Sequence, residues 1–412
     1  MDLQRLNDLP DGGHRAWLAV FGSWCCNVII SGWLNALGVF QNYYSTVLFP
    51  NLPESTVAII PSLVDFIIFA GGPVFGLMYD KYGPRLLLAI GGSLHVIGIL
   101  AASVASNHFY ALVLSQGICD KGSALGASMM LYPAISSIST WFTNRRALAL
   151  GLTSTGGSIG GIMFPLMFES LEPVVGFAWT MRACALVIFV LAVIANLTIS
   201  SRITPVKRHI HVKEYTRPFK SSTYRLLSLS ALMYFGLFLP ITYIILQARQ
   251  EGISEYLAGK LVVIINAASL IGRTLPAWAA DHIGRFNTAI IFGFLSMLTV
   301  WAFWIPLHNS SGGIIAFSVL YGIFSGAVIA LTPALVSQIS EVHEIGTRTG
   351  TFYGLLGLVT LTSTLSSGAI VDDMDGNFLG LKIFCGASIA VGTLFLVWAR
   401  VSMRGWNLRA IA

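Results

Sequence analysis

The sequence predicts an all-α membrane protein with twelve transmembrane helices in two similar halves. Its composition is strongly apolar: 55% of the 412 residues are hydrophobic, 10% are charged, and the mean hydropathy is +0.76. Soluble domains carry about 25% charged residues, so this chain leaves little room for one. The other two observations are a series of apolar runs of about 20 residues and a charged turn that occurs twice.

Twelve runs are long and apolar enough to cross a hydrocarbon core about 30 Å thick. The first six cover approximately residues 16–38, 57–78, 86–105, 110–133, 147–168 and 181–200. The second six cover approximately residues 226–247, 257–279, 288–306, 312–334, 349–370 and 380–400.

The charged turn follows the second run and returns after the eighth. Residues 76–85 read Gly-Leu-Met-Tyr-Asp-Lys-Tyr-Gly-Pro-Arg, and Asp80 and Asp281 are 201 positions apart, as are Gly83 and Gly284. The same spacing between apolar runs indicates a duplicated half. Glycine tolerates the positive φ of a tight turn, and the charges place the turn at a membrane surface.

The pattern Gly-x-x-x-Asp-x-x-Gly-x-Arg resembles the signature loop of the major facilitator superfamily. This resemblance implies two bundles of six transmembrane helices related by an axis along the membrane normal, the major facilitator fold. With the runs above, the bundles would cover residues 1–200 and 226–412, joined by a basic cytoplasmic linker at 201–225. The alternative is a solvated turn that only orients helices.

We expect the two turns to act as cytoplasmic latches of an alternating-access transporter. Asp80 is expected to cap the N-terminus of a neighbouring helix, where its charge is favourable, and Arg85 to pair with an acid across the loop. Contacts made in only one access state are what a gate requires. The residues assigned to gating are Gly76, Asp80, Gly83, Arg85, Asp281, Gly284 and Arg285.

The distribution of basic residues predicts the orientation. With a cytoplasmic N-terminus, 18 of the 24 Lys and Arg fall on cytoplasmic segments, including seven on the linker. This bias follows the positive-inside rule, so the net charge of +6 indicates topology and not a nucleic-acid surface. We therefore expect a multi-pass protein of the plasma membrane with both termini in the cytoplasm.

Two further segments resemble the monocarboxylate transporter subfamily, especially its fungal members. Residues 11–17 read Asp-Gly-Gly-His-Arg-Ala-Trp, and residues 141–151 read Trp-Phe-Thr-Asn-Arg-Arg-Ala-Leu-Ala-Leu-Gly, followed by a glycine-rich helix. The glycines there recur at helical spacing, as a closely packed helix contact requires. The subfamily implies a small organic anion as substrate, although residues 11–17 could also be a plain interfacial anchor.

Polar residues inside the runs are the substrate-site candidates. Arg273 can offer a bidentate fork to carboxylate or sulfate oxygens, or else extend to the inner surface. Asn35 could contact a substrate oxygen or form an interhelical hydrogen bond. In the proton-coupled members a lysine matches Asn35 and an acid matches Ser269, so their absence disfavours proton–monocarboxylate symport. The residues assigned to substrate binding are Trp33, Asn35, Asn266, Ser269 and Arg273.

Three single features complete the assignments. Asp65 lies inside the second run and is a candidate for proton coupling, or else a hydrogen-bonded acid near the outer surface. Asn309 begins an Asn-Ser-Ser sequence on a predicted outer loop and could accept a glycan. All five cysteines lie in apolar runs, which predicts packing and not disulfides.

These features predict a secondary transporter for a small organic metabolite, with efflux of a secondary metabolite or organic anion as the favoured direction. Proton-linked uptake of a monocarboxylate and a non-transporting receptor are the alternatives. An enzyme is not expected, because no nucleophile elbow, phosphate loop or His cluster occurs. We expect no cofactor, no metal and no nucleic acid, but a lipid bilayer, a small-molecule substrate and protons as a candidate coupling ion.

Overall fold

The computed structural model describes residues 11–105, 108–118, 122–203, 213–307, 310–373 and 377–407. Within these ranges the chain is helical and contains no strand, which confirms the predicted all-α class.

The described residues of the N-terminal part form eight α-helices before the linker. They are α1 (His14–Tyr43), α2 (Glu54–Val57), α3 (Ile59–Ala70), α4 (Gly72–Tyr82), α5 (Pro84–Val104), α6 (Phe109–Val113), α7 (Ser123–Ile138) and α8 (Arg146–Thr198). Single π-helical turns follow α1 and α6 at Tyr44–Leu48 and Leu114–Ile118.

The rest of the described chain forms eight more. They are α9 (Lys213–Thr216), α10 (Ser222–Met233), α11 (Leu239–Gln250), α12 (Glu255–Ile283), α13 (Arg285–Thr299), α14 (Ser311–Gln338), α15 (Ile345–Asp373) and α16 (Leu379–Arg404). Short 3-10 segments lie at Arg217–Lys220, Tyr234–Leu237 and Val342–Glu344, and a π-helical turn lies at Val300–Trp304.

Eight helical stretches in the described residues are long and apolar enough to cross a membrane. The longest is α8, whose 53 residues would measure about 80 Å if straight. That is more than twice the thickness of a hydrocarbon core, but Gly176 interrupts the helix with a φ of 77°. This break separates two of the twelve predicted spans, 147–168 and 181–200.

The chain forms two compact units. The first contains the described residues of Met1–Tyr215 together with Ser340–Leu361, and the second contains those of Thr216–Ile339 and Thr362–Ala412. The chain therefore passes from one unit to the other inside the predicted linker 201–225. The first half of α15 belongs to the first unit.

Within the first unit, glycine allows α1 and α8 to approach at backbone distance. A Cβ atom at Gly160 would overlap the carbonyl oxygen of Val28, and one at Gly156 would overlap that of Trp24. The glycine-rich segment after residue 151 therefore provides the close helix contact that its spacing predicts.

Candidate functional site

The first charged turn joins α4 to α5 through a single glycine. Gly83 has a φ of 77° and its N–H donates to the carbonyl oxygen of Tyr79, 2.8 Å away. Pro84 then occupies the first position of α5, where its fixed φ suits a helix start. The local structure therefore follows from the residue types, because only glycine adopts this φ without strain.

Asp80 lies in the last turn of α4 and accepts hydrogen bonds at the start of α15. The N–H of Gly346 is 2.9 Å from one carboxylate oxygen, and the N–H and Oγ1 of Thr347 are both 2.7 Å from the other. The free N–H groups of a helix start carry partial positive charge, so a carboxylate is favourable there. We call Asp80, Gly346 and Thr347 the inner latch.

Behind the inner latch, two pairs of glycines face each other. Gly72 and Gly76 of α4 pack on Gly346 and Gly350 of α15, and we call these four residues the glycine seam. A Cβ atom at Gly350 would overlap the carbonyl oxygen of Gly72, and one at Gly76 would overlap that of Gly346. The seam therefore needs four residues without side chains, and it brings Asp80 within hydrogen-bonding distance of α15.

Arg85 has a different environment from the one expected. Its side chain is exposed, and among the residues that the structure describes it forms no ion pair. Its carbonyl oxygen accepts a hydrogen bond from Asn196 Nδ2 at 2.9 Å. The expected pairing of Arg85 with an acid across the loop is not seen in the described part of the chain and stays a prediction.

The second charged turn lies in the second unit and joins α12 to α13. Gly284 has a φ of 102° and takes the place that Gly83 has in the first turn. Asp281 Oδ1 accepts hydrogen bonds from Arg285 Nη2 at 3.0 Å and Arg285 Nε at 3.2 Å. The two paired residues are thus four positions apart, one on each side of the turn.

The two segments that resemble the monocarboxylate subfamily contact each other in the first unit. Asp11 accepts hydrogen bonds from the N–H groups of Thr143 and Asn144, and Asn144 Nδ2 donates to its second oxygen at 2.7 Å. Trp17 packs edge-on against Phe142 with a centroid distance of 5.2 Å. Asp11 thus anchors the segment before α8, a role that its Asp-Gly-Gly sequence did not reveal.

Trp33 and Asn35, the substrate candidates on α1, differ in how far their side chains are exposed. Trp33 is 1% exposed and packs against Phe40 and Phe164, so its ring has no surface for a ligand in this structure. Substrate contact by Trp33 would require its ring to become exposed, and it stays a prediction. Asn35 is half-buried and its Nδ2 donates to the carbonyl oxygen of Gly157 at 3.2 Å, which is the interhelical alternative.

The other substrate candidates share one face of α12 in the second unit. Asn266, Ser269 and Arg273 are all buried, at positions i, i+3 and i+7. Ser269 Oγ donates to the carbonyl oxygen of Asn266 at 2.8 Å, and the close approach of Gly326 brings α14 against this face. The face therefore combines a guanidinium with small polar groups.

Two further residues were assigned a role by the sequence, Asp65 and Asn309. Asp65 is half-buried on α3, and its role in proton coupling stays a prediction. Asn309, the predicted glycan acceptor, lies outside the described residues.

The long apolar helices, with the charged turn that occurs twice, are those of a multi-pass membrane protein. Residues 16–361 match the Major Facilitator Superfamily, and the chain belongs to that family. The predicted superfamily and fold are thereby confirmed.

Three comparisons illustrate this membership. The chain is 43% identical over 403 residues to "MFS-type transporter 1" of Ophiocordyceps sp. (strain BCC 1869), covering 98% of this chain and 89% of that protein. It is 37% identical over 394 residues to the "Fujikurins efflux protein" of Gibberella fujikuroi, covering 95% and 84%. The crystal structure of the human organic anion transporter MFSD10 (TETRAN) has a TM-score of 0.74 at 14% identity, covering 95% and 99%. These relatives are transporters, which agrees with the predicted class.

Proposed function

We propose that this transporter exports a secondary metabolite across the plasma membrane, with both termini in the cytoplasm. The observation that carries the proposal is the 37% identity, over 95% of this chain, to a fungal protein named for the efflux of fujikurins. Identity along nearly the whole chain means that both halves share ancestry with an efflux protein. Our proposal includes the division into bundles at 1–200 and 226–412.

The substrate class that we propose is an organic anion larger than a simple monocarboxylate. The resemblance of residues 11–17 and 141–151 to the monocarboxylate subfamily supports an anion, and burial of Arg273 supports a cationic contact for it. Asn35 and Ser269 stand where proton-coupled members carry a lysine and an acid, so the binding chemistry differs from theirs. The less polar site suits a metabolite with more apolar surface.

Arg273 is the substrate contact that we propose, with Asn266 and Ser269 beside it. A guanidinium can bind a carboxylate through two parallel hydrogen bonds, whereas an ammonium acts as a point charge. Arg273→Lys is therefore expected to raise the half-saturating concentration of an anionic metabolite about tenfold, and Arg273→Met to abolish its export. Equal export by all three proteins would remove Arg273 from the site.

The gating part of the proposal assigns the inner latch and the glycine seam to the closed cytoplasmic side. Asp80 binds two backbone N–H groups and one hydroxyl of α15, a set that is lost when α4 and α15 separate. A gate needs contacts that exist in only one state, because only differential contacts shift the equilibrium. The Asp281–Arg285 turn occupies the corresponding place in the second half, but its ion pair lies within the turn and is not proposed to break during transport.

The proposed export is tested by comparing metabolites inside and outside cells that contain or lack this protein. We expect at least one anionic metabolite to be depleted in the medium and enriched in the cells when the protein is absent. The matched control is the Gly350→Leu variant, which keeps the chain but blocks the glycine seam. A metabolite that enters cells only when the protein is present would support uptake instead, and an unchanged metabolite profile would support a receptor.

A further inference from the structure

Three aromatic residues of the first unit have no role in the site described above. They are Phe69 of α3, Tyr132 of α7 and Tyr353 of α15, and we call them the aromatic cluster. The ring of Tyr353 lies 6.0 Å from that of Phe69, at an interplanar angle of 14°, and 6.3 Å from that of Tyr132. The cluster therefore joins three helices that are far apart in the sequence.

The break between α3 and α4 fixes two members of the cluster. Pro73 has no N–H, so it cannot donate to the carbonyl oxygen of Phe69, as residue i+4 of an α-helix does. The hydroxyl of Tyr132 donates to this oxygen at 3.0 Å and to that of Ile68 at 3.1 Å. Tyr132 thus stabilises the break, and its hydroxyl hydrogen is engaged there.

Close helix packing brings Tyr353 to this break. A Cβ atom at Gly354 would overlap the ring of Pro73, 2.8 Å away, so α15 remains close to α4 beyond the glycine seam. Tyr353 is seven residues after Gly346, which corresponds to about 10 Å along the helix. It therefore lies inside the apolar run, further from the inner surface than the inner latch.

Tyr353 differs from Tyr132 in exposure and in hydrogen bonding. Tyr132 is 0% exposed, whereas Tyr353 and Phe69 are half-buried. Among the residues that the structure describes, the hydroxyl of Tyr353 has no hydrogen-bond partner. An unpaired hydroxyl costs free energy in an apolar setting, so tyrosines in such places usually have a partner. A ligand oxygen would supply the partner that the chain does not.

The cluster also shows where such a ligand would lie. Tyr353 is directed at Tyr132 of α7, and all but one of the residues of α7 are buried, so Tyr353 does not project into lipid. A third ring between Phe69 and Tyr353 would need about 7 Å, which is two carbon contacts of about 3.5 Å. Their centroid distance of 6.0 Å is shorter, so a ligand would stack on the accessible surface of the pair.

We propose that Tyr353 and Phe69 form a subsite for a flat, conjugated part of the exported metabolite, with the Tyr353 hydroxyl donating to an oxygen of that part. The proposal rests on the export of an organic anion proposed above. It adds the class of the apolar part: an aromatic or conjugated ring system with a carbonyl or hydroxyl oxygen. Aromatic side chains favour such rings over saturated ones, because stacking adds to the gain from burial.

The experiment measures binding of two probes that differ in planarity. The probes are 2-naphthoate and its fully saturated analogue, decahydro-2-naphthoate, and equilibrium dialysis with the full-length protein in lipid nanodiscs gives their affinities. We expect the unchanged protein to bind 2-naphthoate about fivefold more tightly. Tyr353→Leu, which removes the ring, should bind the two probes equally.

The matched control is Tyr110→Leu, because Tyr110 is 80% exposed and lies outside the aromatic cluster. This variant should keep the preference for 2-naphthoate. The proposal would be overturned if the unchanged protein bound neither probe or showed no preference for 2-naphthoate. A preference that persists in Tyr353→Leu would also overturn it.

A second variant keeps the test decisive if Tyr353→Leu does not fold. Tyr353→Phe keeps the ring and should bind 2-naphthoate as the unchanged protein does. Its affinity for 6-hydroxy-2-naphthoate, which offers a further oxygen, should be about fivefold lower than that of the unchanged protein. Unchanged affinity for both probes would overturn the proposal.

This test and the metabolite comparison fail separately, because dialysis measures binding and not export. Loss of the subsite would leave the proposed export standing, since cells that lack the protein would still retain the metabolite. A naphthoate preference that depends on Tyr353, found without any change in the metabolite profile, would support the subsite and contradict the export.

Discussion

The Asp80 turn and the Asp281 turn have the same spacing of aspartate and glycine, but their carboxylates have partners at very different distances along the chain. Asp80 binds the N–H groups of Gly346 and Thr347, which lie 266 and 267 positions further on. Asp281 binds the guanidinium of Arg285, four positions further on. The first carboxylate connects two helices, α4 and α15, and the second fixes the geometry of its own turn.

This difference shows that the Asp-x-x-Gly pattern determines the conformation of the turn but not the partner of the carboxylate. Gly83 and Gly284 both have positive φ, as the shared sequence requires. The partner of Asp80 depends on the glycine seam, which lets α15 approach α4. The comparison predicts that changes at the first turn impair transport, whereas changes at the second impair stability.

The largest effect is expected from the glycine seam. Gly350→Ala places a Cβ atom against the carbonyl oxygen of Gly72, so α4 and α15 can no longer pack at this distance. Overpacking of this kind costs about 1–3 kcal/mol, and about 1.4 kcal/mol corresponds to a tenfold change. Export of the identified metabolite, normalised to protein at the cell surface, should fall about tenfold or more.

The control for this variant is Gly38→Ala in α1. No heavy atom lies within 4 Å of a Cβ atom placed at Gly38, so this change should leave export unchanged. Equal export by the two variants would mean that the seam does not close during transport.

The next effect is expected at Asp80. Asp80→Asn keeps the size of the side chain but loses the charge and places an amide against N–H donors. Hydrogen bonds to charged groups contribute about 1.5–3 kcal/mol, of which the neutral amide retains part. Turnover should fall about fivefold with surface expression intact, and Thr347→Ala, which removes one donor, should have a smaller effect. Unchanged export in Asp80→Asn would refute the inner latch.

A smaller effect on export, but a clear one on stability, is expected at the second turn. Asp281→Asn leaves the Arg285 guanidinium with a weaker partner in a buried setting, at a cost of about 1–3 kcal/mol. Thermal unfolding in detergent should therefore occur at lower temperature, with export per folded molecule nearly unchanged. The exchanged pair D281R/R285D should recover part of the lost stability. A fivefold loss of export in Asp281→Asn would make the two turns equivalent.

The smallest effect is expected at Asp11. Asp11→Ala removes the carboxylate that binds the N–H groups of Thr143 and Asn144. Loss of a comparable helix cap costs about 1 kcal/mol, which lowers the unfolding temperature by about 2–4 °C for a unit of this size. Thermal unfolding in detergent measures this change, and Asp11→Asn should be milder. An unchanged unfolding temperature in Asp11→Ala would show that the anchor is not needed.

The sequence was sufficient for most of the helices, the two turns and the close packing of the glycine-rich part of α8, because each depends on local composition or spacing. It predicted continuous runs over 57–78 and 226–247, which the structure divides between α3 and α4 and at the 3-10 segment Tyr234–Leu237. It predicted that Asp80 would cap a helix but could not say which one, since Gly346 is 266 positions away. The Gly-x-x-x-Gly spacing of Gly346 and Gly350 was the available signal. Ring packing around Trp33 could not be predicted, because it depends on α8.

The ion pair between Glu251 and Lys382 was missed for a similar reason. Glu251 and Lys382 are 131 positions apart, and each alone resembles a charge at the end of a run. Lys382 inside the last apolar run was the available signal. Only the folded structure shows that the two charges form a pair, with Lys382 Nζ 3.5 Å from Glu251 Oε1.

The central claim, that Asp80 holds α15 against α4, is tested most directly by a distance measurement. Spin labels at Tyr82→Cys and Glu341→Cys, both exposed sites, report the separation of the two segments. Cys119 is replaced by serine, and the other four cysteines are buried. We predict a short-distance population in the otherwise unchanged protein that decreases when Asp80→Asn is added. Identical distance distributions with and without Asp80→Asn would contradict the account.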